Sequence, residues 1–279
     1  MQILKYFFSG VRRKFLVYLW QLNCLISPNK ISTFHLLNGL KFDYPLKSGI
    51  GFELSIGIFE KSEIGFVIKA LKPGDIFIDV GANAGIFTII AAKKVQNHGH
   101  IYAFEPDQRN LKLLRHNLTI NNLTNVTILE CALSNIKGKT KFAIATDGAM
   151  NSFVKTNRKD QQIIEWQIVE VTTLDDFVEE HKISNINFIK IDTEGAEKLI
   201  FEGGKNLLST SEPIIVMFEA SDLNTYGFGY LVKDFLEEIP KSNLRLYYFN
   251  KDGLPVLTSG FNERFGNSIY NFIATNRLL

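Results

Sequence analysis

Short apolar runs alternate with helical patterns along the chain from about residue 70. The first run covers residues 76–80, follows a turn at 72–75 and ends at Gly81. Similar runs at 101–104 and 126–129 are separated by segments in which apolar residues recur at helical spacing. This order of strands and helices predicts a parallel sheet that is covered by helices on both faces.

The second half of the chain resumes this alternation after an interruption. Polar and glycine-containing stretches lie around residues 134–140 and 146–162, and the apolar runs beside them predict an inserted β excursion. Further strand candidates follow at 187–192, 214–219, 244–249 and 268–274. The last two suit a hairpin that is joined by a glycine-containing loop, so we expect the final strand to enter the sheet antiparallel.

The first 30 residues form a separate segment. Three basic residues at 12–14 precede an apolar run at 15–26 that Gln21 and Asn23 interrupt. A bilayer crossing needs about 20 apolar residues, so this run is too short to span a membrane. As a helix it has one apolar stripe, which consists of Phe15, Leu19, Leu22 and Ile26. Such a stripe packs on a domain or lies on a membrane surface, and we expect a helical leader over residues 1–59.

Composition narrows the class of protein. The chain has 31 Lys and Arg against 29 Asp and Glu, and a net charge of +2 argues against a strongly basic protein that binds nucleic acid. A hydrophobic content of 46% excludes a disordered tail. Cys24 and Cys131 lie in separate apolar runs without the spacing of a disulfide framework or a metal clamp. This cysteine usage favours a reducing compartment, the cytoplasm.

Candidate binding residues follow the ends of three consecutive strands. The turn at 79–85 opens a helix, and its glycines, Gly81 and Gly85, permit a tight turn and a close approach to the helix start. Glu105 ends the second strand 24 residues after Gly81, where a carboxylate can accept the hydroxyl hydrogens of a ribose. Residues 130–134, after the third strand, offer backbone groups and apolar side chains to an adenine. Because such features converge at one edge of a sheet, they predict a site for an adenosine moiety.

The residues of this turn favour one adenosine ligand over the others. A dinucleotide site requires Gly-x-Gly-x-x-Gly, whereas this chain has Asn83 at the second glycine position. No Gly-Lys-Ser/Thr follows the turn, which excludes a nucleoside triphosphate loop there. Asp79 would repel phosphates, but it favours the ammonium and sulfonium groups of S-adenosylmethionine. The pattern therefore predicts a site for a methyl donor.

At these motifs the sequence resembles the FkbM-type S-adenosylmethionine-dependent methyltransferases, a class I methyltransferase family. The resemblance covers roughly residues 60–274, and its most specific part is the octet Lys-Ile-Asp-Thr-Glu-Gly-Ala-Glu at 190–197. It implies an α/β fold, a Rossmann-like three-layer sandwich with a seven-stranded, mostly parallel sheet whose last strand is antiparallel. It further implies a methyltransferase domain over residues 60–279. The donor-binding residues that it implies are Glu60, Asp79, Gly81, Ala82, Asn83, Gly85, Glu105, Pro106, Ala132, Leu133 and Asp192.

Two later strand ends supply carboxylates for the transfer itself. Asp192 and Glu194 follow the fourth strand, and Glu219 ends the fifth. A hydroxyl is a poor nucleophile until its proton is lost, and any of these three carboxylates is a candidate base. Glu197 is expected instead to begin the next helix, where negative charge is favoured. In an alternative, Asp192 and Glu219, with Asp222, hold a divalent cation that polarises the acceptor hydroxyl.

The resemblance implies methylation of an oxygen on a saccharide or small metabolite. Residues 147–152 of the β excursion are a candidate lid or acceptor-binding loop, with a surface hairpin tip as the alternative. A second hypothesis is a non-catalytic binding module that retains the methyltransferase fold and contacts a membrane peripherally through residues 1–30. A nicotinamide-dependent oxidoreductase is a third hypothesis, which the glycine pattern of the turn disfavours.

Overall fold

A computed structural model describes residues 2–209, 213–239, 243–258 and 269–279. Its strands are β1 (Ile31–His35), β2 (Lys41–Pro45), β3 (Ile76–Val80), β4 (His100–Phe104), β5 (Val126–Leu129), β6 (Ala132–Leu133), β7 (Gly138–Ala145), β8 (Ile163–Thr172), β9 (Ile186–Ile191), β10 (Ile215–Ala220), β11 (Arg245–Phe249), β12 (Pro255–Thr258) and β13 (Tyr270–Thr275). Part of the loop predicted before the last strand, and Ser268 at the predicted start of that strand, lie outside the described residues.

The α-helices include a long N-terminal helix and shorter helices that cover the sheet. They are α1 (Gln2–Ile26), α2 (Gly49–Ile56), α3 (Lys61–Ala70), α4 (Ile86–Val95), α5 (Gln108–Ile120), α6 (Leu174–Glu180), α7 (Glu197–Gly203), α8 (Lys205–Leu208), α9 (Asp222–Thr225) and α10 (Val232–Glu238). Short 3-10 helices occur at Leu37–Gly39, Gln96–His98, Gly148–Met150 and Tyr226–Phe228.

Within the described residues the central sheet has eight strands, one more than the seven predicted, in the order β12-β11-β13-β10-β9-β3-β4-β5. Strands β3, β4, β5, β9 and β10 are parallel, whereas β13 is antiparallel to both of its neighbours. The predicted Rossmann-like sheet with an antiparallel last strand is confirmed. The eighth strand, β12, pairs with β11 at the edge and lies in the segment predicted as a loop. It is only four residues long and begins with proline, which is tolerated at a sheet edge.

Helices cover both faces of this sheet. In β3, Phe77 packs into one apolar cluster with residues of α3, α4 and α5. Its neighbours Ile78 and Val80 pack into a second cluster with residues of α6, α7 and α10. Successive side chains of a strand point to opposite faces, so the two clusters are the two sides of a three-layer sandwich.

The strand register gathers several strand ends at one edge of the sheet. Val80, the last residue of β3, is paired with the last residues of both neighbouring strands, Phe104 in β4 and Ile191 in β9. The residues that follow these three strands therefore leave the sheet side by side. The candidate site is built at this edge.

The predicted β excursion forms a separate three-stranded sheet in the order β6-β8-β7. Strands β7 and β8 form an antiparallel hairpin, and β8 also pairs in parallel with the two-residue β6. The loop that connects β7 to β8 leaves this hairpin at the edge where the parallel strands of the central sheet end.

The hairpin of β1 and β2 is attached to the main core. Phe42 and Tyr44 belong to the same apolar cluster as Phe77. The side-chain oxygen of Asn117 accepts the N–H of Asp43 at 2.8 Å, and its amide donates to the carbonyl of Asp43 at 3.1 Å. The predicted division of the chain at residue 59 stays a prediction, and the segments on either side of it share this cluster.

Helix α1 packs against α2 through a different face from the predicted one. Trp20 donates its indole N–H to the carbonyl oxygen of Leu46 at 2.9 Å, and its ring lies edge-on to Phe52 with centroids 4.8 Å apart. Cys24 is buried. The predicted stripe is exposed at three of its four positions, Phe15, Leu22 and Ile26. Helix α1 thus packs on the domain, which is one of its two expected alternatives, but it does so through Trp20 and Cys24 and not through the predicted stripe. None of the described helices combines the length and the apolar content that a bilayer crossing needs.

Candidate active site

A cavity of about 410 Å3 lies at the ends of β3, β4, β9 and β10, a volume in the range of small-molecule sites. Residues from α2, from the turn before α3 and from the loop between β7 and β8 complete its walls. Ten of the predicted donor-binding residues line it: Glu60, Asp79, Gly81, Ala82, Asn83, Glu105, Pro106, Ala132, Leu133 and Asp192. The other two candidate bases, Glu194 and Glu219, line it as well.

The turn between β3 and α4 requires glycine at two positions. Gly81 has φ +77°, and a Cβ atom there would lie 1.9 Å from the carbonyl oxygen of Asp192. Gly85 has φ +89°, and a Cβ atom there would lie 2.3 Å from Cδ1 of Leu114. Gly81 thus lets β3 and β9 meet closely at the site. Gly85 instead permits α4 to pack against α5 and lies outside the cavity lining, so its part in donor binding stays a prediction.

Glu105 is buried at the end of β4, beside this turn. Its Oε2 accepts the N–H of Asn83 and its Oε1 accepts the N–H of Asp107, both at 2.8 Å. These two bonds fix the plane of the carboxylate, and each oxygen keeps a further lone pair. Burial raises the pKa of Glu105 to about 7, although the two backbone bonds oppose the rise. The geometry suits a ligand that presents two adjacent hydroxyl groups.

Asp79 is buried in β3 and only 1% exposed. Its Oδ2 accepts the hydroxyl of Thr88 at 2.5 Å, whereas its Oδ1 has no hydrogen-bond partner among the described residues. Burial raises the pKa of Asp79, and the ammonium group of Lys190 opposes that rise. A buried acceptor without a donor costs about 1–3 kcal/mol. This oxygen therefore favours a ligand with a cationic donor group, which is the chemistry predicted for Asp79.

Lys190 is a buried cation for which the sequence pattern predicts no separate role. Its Nζ donates to Oδ2 of Asp192 at 3.0 Å and lies 4.7 Å from the ring centroid of Phe87. Burial opposes its charge, but attraction to Asp192, Asp79 and Glu60 outweighs burial and raises the pKa of Lys190. Lys190 thus balances negative charge around the cavity. A lysine between the buried apolar residues Ile189 and Ile191 was the available signal.

Asp192, Glu194 and Glu219 form a carboxylate cluster, in which one oxygen from each residue lies within 4.8 Å of the others. Burial raises the pKa of Glu194 to about 8. Burial and the neighbouring carboxylates hold the pKa of Glu219 well above its usual range. The cluster therefore contains groups that can exchange a proton near neutral pH.

Arg158 contacts the carboxylate cluster from the loop between β7 and β8. Its Nη1 lies 3.3 Å from both carboxylate oxygens of Glu194, and its Nη2 donates to Asp160 at 3.1 Å. The Arg158 side chain is only 17% exposed. This arginine lies in a polar loop, where no periodicity separates it from surface arginines, so the sequence gives no signal for it.

The same three carboxylates are the residues that would hold a divalent cation. Their oxygens are suitable ligands for Mg²⁺ or Ca²⁺. Asp222, the further ligand in that alternative, is not among the described residues that form this cluster, and its Oδ1 accepts the N–H of Val232 at 2.8 Å at the start of α10. A part for Asp222 in cation binding stays a prediction.

Glu197 stabilises the turn that carries Glu194. Its Oε1 accepts the N–H and the hydroxyl of Thr193, both at 2.9 Å, and the N–H of Gly195 at 3.3 Å. Glu197 is also the first residue of α7. Its predicted place at the start of this helix is confirmed. Glu194 itself has φ +54°, a conformation that its surroundings must maintain.

The loop between β7 and β8 lies along the cavity. Asn151 donates its amide to Asp107 at 2.7 Å and accepts the N–H of Ala145 at 2.8 Å. The hydroxyl of Ser152 donates to the carbonyl oxygen of Glu194 at 2.9 Å. Because the loop lines the cavity and is bonded to its walls, the alternative of a surface hairpin tip is wrong.

The Rossmann-like strand order, with a cavity at the carboxyl ends of its parallel strands, is that of the class I methyltransferase fold. Residues 79–247, more than half of the chain, match the family model of the methyltransferase FkbM domain. The chain belongs to this family of S-adenosylmethionine-dependent methyltransferases.

Three curated relatives indicate the range of proteins to which the chain is similar. It is 24% identical over 185 residues to the 2-O-methyltransferase NoeI of Sinorhizobium fredii, which covers 62% of this chain and 74% of NoeI. It is 26% identical over 161 residues to the hexuronic acid methyltransferase AglP of Haloferax volcanii. That alignment covers 58% of this chain and 63% of AglP. A ribosomal protein L11 methyltransferase of Caldanaerobacter subterraneus is 32% identical over 101 residues, and the chain spans only 32% of its length.

Among solved structures, the methyltransferase FkbM of Methylobacillus flagellatus aligns with a TM-score of 0.44 and 15% sequence identity. The alignment covers 80% of this chain and 54% of that one.

Proposed function

We propose that this chain transfers the methyl group of S-adenosylmethionine to a hydroxyl oxygen of a saccharide or another small metabolite. The observation that supports this best is Asp79. It lines the cavity and keeps a buried acceptor oxygen without a partner in the described part of the chain. An ammonium group is the donor that such an oxygen favours, and the amino-acid end of the methyl donor has one.

Glu105 supplies the second half of the donor site. Its carboxylate is held by two backbone N–H groups and keeps lone pairs for the two hydroxyls of a ribose. Asp79 and Glu105 lie at the ends of adjacent strands, so together they fix the two ends of one ligand. When bound, S-adenosylmethionine supplies a methyl group on a positively charged sulfur.

The carboxylate cluster lines the part of the cavity that we assign to the methyl acceptor. Glu194, with its pKa raised to about 8, is the candidate that we favour as the base, and its carboxylate takes the proton of the acceptor hydroxyl as the new carbon–oxygen bond forms. Asp192, bonded to Lys190, accepts a hydrogen bond that orients the acceptor. If a divalent cation takes part, the same cluster would hold it and it would polarise this hydroxyl, so activity that EDTA abolishes would identify a metal-dependent transfer.

The acceptor class is taken from the names of two relatives. NoeI is named a 2-O-methyltransferase and AglP a hexuronic acid methyltransferase. Transfer to a hydroxyl fits a cavity whose acceptor side is rich in carboxylates, because carboxylates accept hydrogen bonds from hydroxyl groups. The carboxylate of a hexuronic acid would be repelled by this cluster, so a neutral hydroxyl-bearing acceptor fits it better.

Calorimetry with S-adenosylhomocysteine tests the donor site. We expect the full-length protein to bind this product at micromolar affinity and Glu105→Ala to lose the binding. Absence of heat with the intact protein would contradict the proposal.

Incubation with an isotope-labelled methyl donor and extracts of glycans and metabolites tests the transfer. Mass spectrometry should detect a labelled product whose methyl group is attached to oxygen. Donor binding without any labelled product across such extracts would favour the non-catalytic binding module instead.

A further inference from the structure

Helix α1 exposes an apolar face on the side opposite to its contacts with α2. At about 100° per residue, five exposed apolar residues fall within an arc of about 100°. They are Phe15 (59% exposed), Tyr18 (60%), Leu22 (40%), Leu25 (81%) and Ile26 (73%). Single exposed apolar residues are common, but five on one helix face form a contiguous patch of the kind that marks an interaction surface. We call these five residues the apolar face of α1.

The charged residues of α1 beside its apolar face have a single sign. Arg12 and Lys14 fall on its two sides, Arg13 lies between them in the sequence, and all three are exposed. Helix α1 contains no acidic residue. An apolar helix face bordered by Lys and Arg is typical of helices that lie in the interface of an anionic bilayer, where the basic side chains contact the lipid phosphates.

We propose that α1 docks this protein on an anionic lipid surface, with its apolar face at the boundary of headgroups and acyl chains. The helix lies on the bilayer and does not cross it, in agreement with the absence of a spanning helix among the described residues. Charge complementarity selects lipid as the occupant, because Arg12 and Lys14 flank the patch without an acidic residue that would repel phosphate.

The contacts of α1 connect this surface to the cavity. Trp20 joins α1 to α2 through its hydrogen bond to Leu46 and its contact with Phe52. Gly49 and Glu53 of α2 line the cavity. When the protein is docked through the apolar face, α1 lies between the lipid and this wall of the cavity.

Co-sedimentation of the full-length protein with vesicles tests the docking, independently of methyl transfer. We expect binding to vesicles of phosphatidylcholine and phosphatidylglycerol, weaker binding as salt is raised, and little binding to phosphatidylcholine alone. The double variant Leu22→Ser, Ile26→Ser should lower binding at least tenfold. Because both side chains are exposed, it should keep the circular dichroism spectrum and thermal midpoint of the wild type. Arg12→Gln and Lys14→Gln should each lower binding about fivefold.

Strand β8 offers a matched control. Ile164 and Ile168 are exposed by 59% and 63%, and the double variant Ile164→Ser, Ile168→Ser removes the same apolar bulk from another surface. It should bind vesicles as the wild type does. Equal binding by all variants, or no binding of the wild type to anionic vesicles, would overturn the proposal. Light scattering that shows a dimer which the α1 variants dissociate would assign the face to a second copy and overturn it too.

Discussion

Glu105 and Glu130 end neighbouring parallel strands, but only Glu105 lines the cavity. Glu105 is buried, with both oxygens fixed by backbone N–H groups, whereas Glu130 is exposed and bonded to Gln108 and Arg115. We expect Glu105→Gln to weaken S-adenosylhomocysteine binding about 10- to 100-fold, because a hydrogen bond to a charged group contributes about 1.5–3 kcal/mol. Calorimetry measures this change. The control variant Glu130→Gln should bind as the wild type does, and equal affinities for all three proteins would remove Glu105 from the donor site.

A second prediction concerns the base. A carboxylate accepts a proton only when it is ionised, so methyl transfer that depends on Glu194 should become faster as pH rises and level off above its pKa of about 8. The logarithm of kcat/KM should rise by about one per pH unit below that value. Glu194→Gln should lose this dependence and lower kcat by about 100-fold or more.

The other two members of the carboxylate cluster provide the comparison for Glu194. Asp192→Asn and Glu219→Gln should lower kcat while the rise with pH remains. If the rise survives in Glu194→Gln and disappears in one of these two variants, that residue is the base and Glu194 is not.

At the scale of elements, the ends of β3 and β9 meet through Gly81. Gly81→Ala would place a Cβ atom 1.9 Å from the carbonyl oxygen of Asp192, so the two strand ends must separate. Gly74 also has a positive φ, +91°, but no atom lies within 4 Å of a Cβ built there. We expect both alanine variants to lose stability because of their backbone conformation, and only Gly81→Ala to lose S-adenosylhomocysteine binding as well. Thermal unfolding and calorimetry separate the two effects, and donor binding retained in Gly81→Ala would show that the close approach is unnecessary.

The elements differ in how far their sequences predict them. The alternation of β-rich runs and helices predicts the parallel strands β3, β4, β5, β9 and β10. Strands β3, β9 and β10 are mostly buried and mostly apolar, and the edge strand β5 is half-buried but rich in β-branched residues. Strand β12 begins with proline, a residue that in a sequence argues against a strand and is tolerated here only because β12 lies at the sheet edge. For α1 the spacing predicts a helix, but an apolar stripe does not tell whether it faces the domain or another surface. In this fold, the side of α1 that carries Trp20 and Cys24 faces the domain.

At the scale of the whole molecule, the predicted site depends on topology more than on any single motif. Asp79, Glu105 and Asp192 are far apart in the sequence, and the parallel register alone brings their strand ends to one edge. Such convergence can be predicted once the strands are recognised. Arg158 could not be predicted in this way, because the path of the loop between β7 and β8 depends on tertiary contacts such as that of Asn151 with Asp107.

Buried carboxylates around the cavity also link the stability of the molecule to pH. Burial raises the pKa of Glu197 to about 7, whereas the unfolded chain ionises this group near its ordinary value of 4.5. Between these two values the folded state binds more protons than the unfolded state. The contribution of Glu197 to stability is therefore fully present below pH 4.5 and is lost as pH rises through about 7. Each such group contributes a slope of about −1.4 kcal/mol per pH unit in that window.

We therefore expect the free energy of unfolding to fall between pH 5 and pH 7, and to fall less steeply in Glu197→Gln by about 1.4 kcal/mol per pH unit. A glutamine keeps an oxygen that can accept the bonds from Thr193 and Gly195, so the variant removes the titration while the turn is retained. Urea unfolding at several pH values measures the slopes. The exposed Glu179→Gln is the control and should follow the wild type, and a Glu197→Gln slope parallel to that of the wild type would show that Glu197 ionises equally in both states.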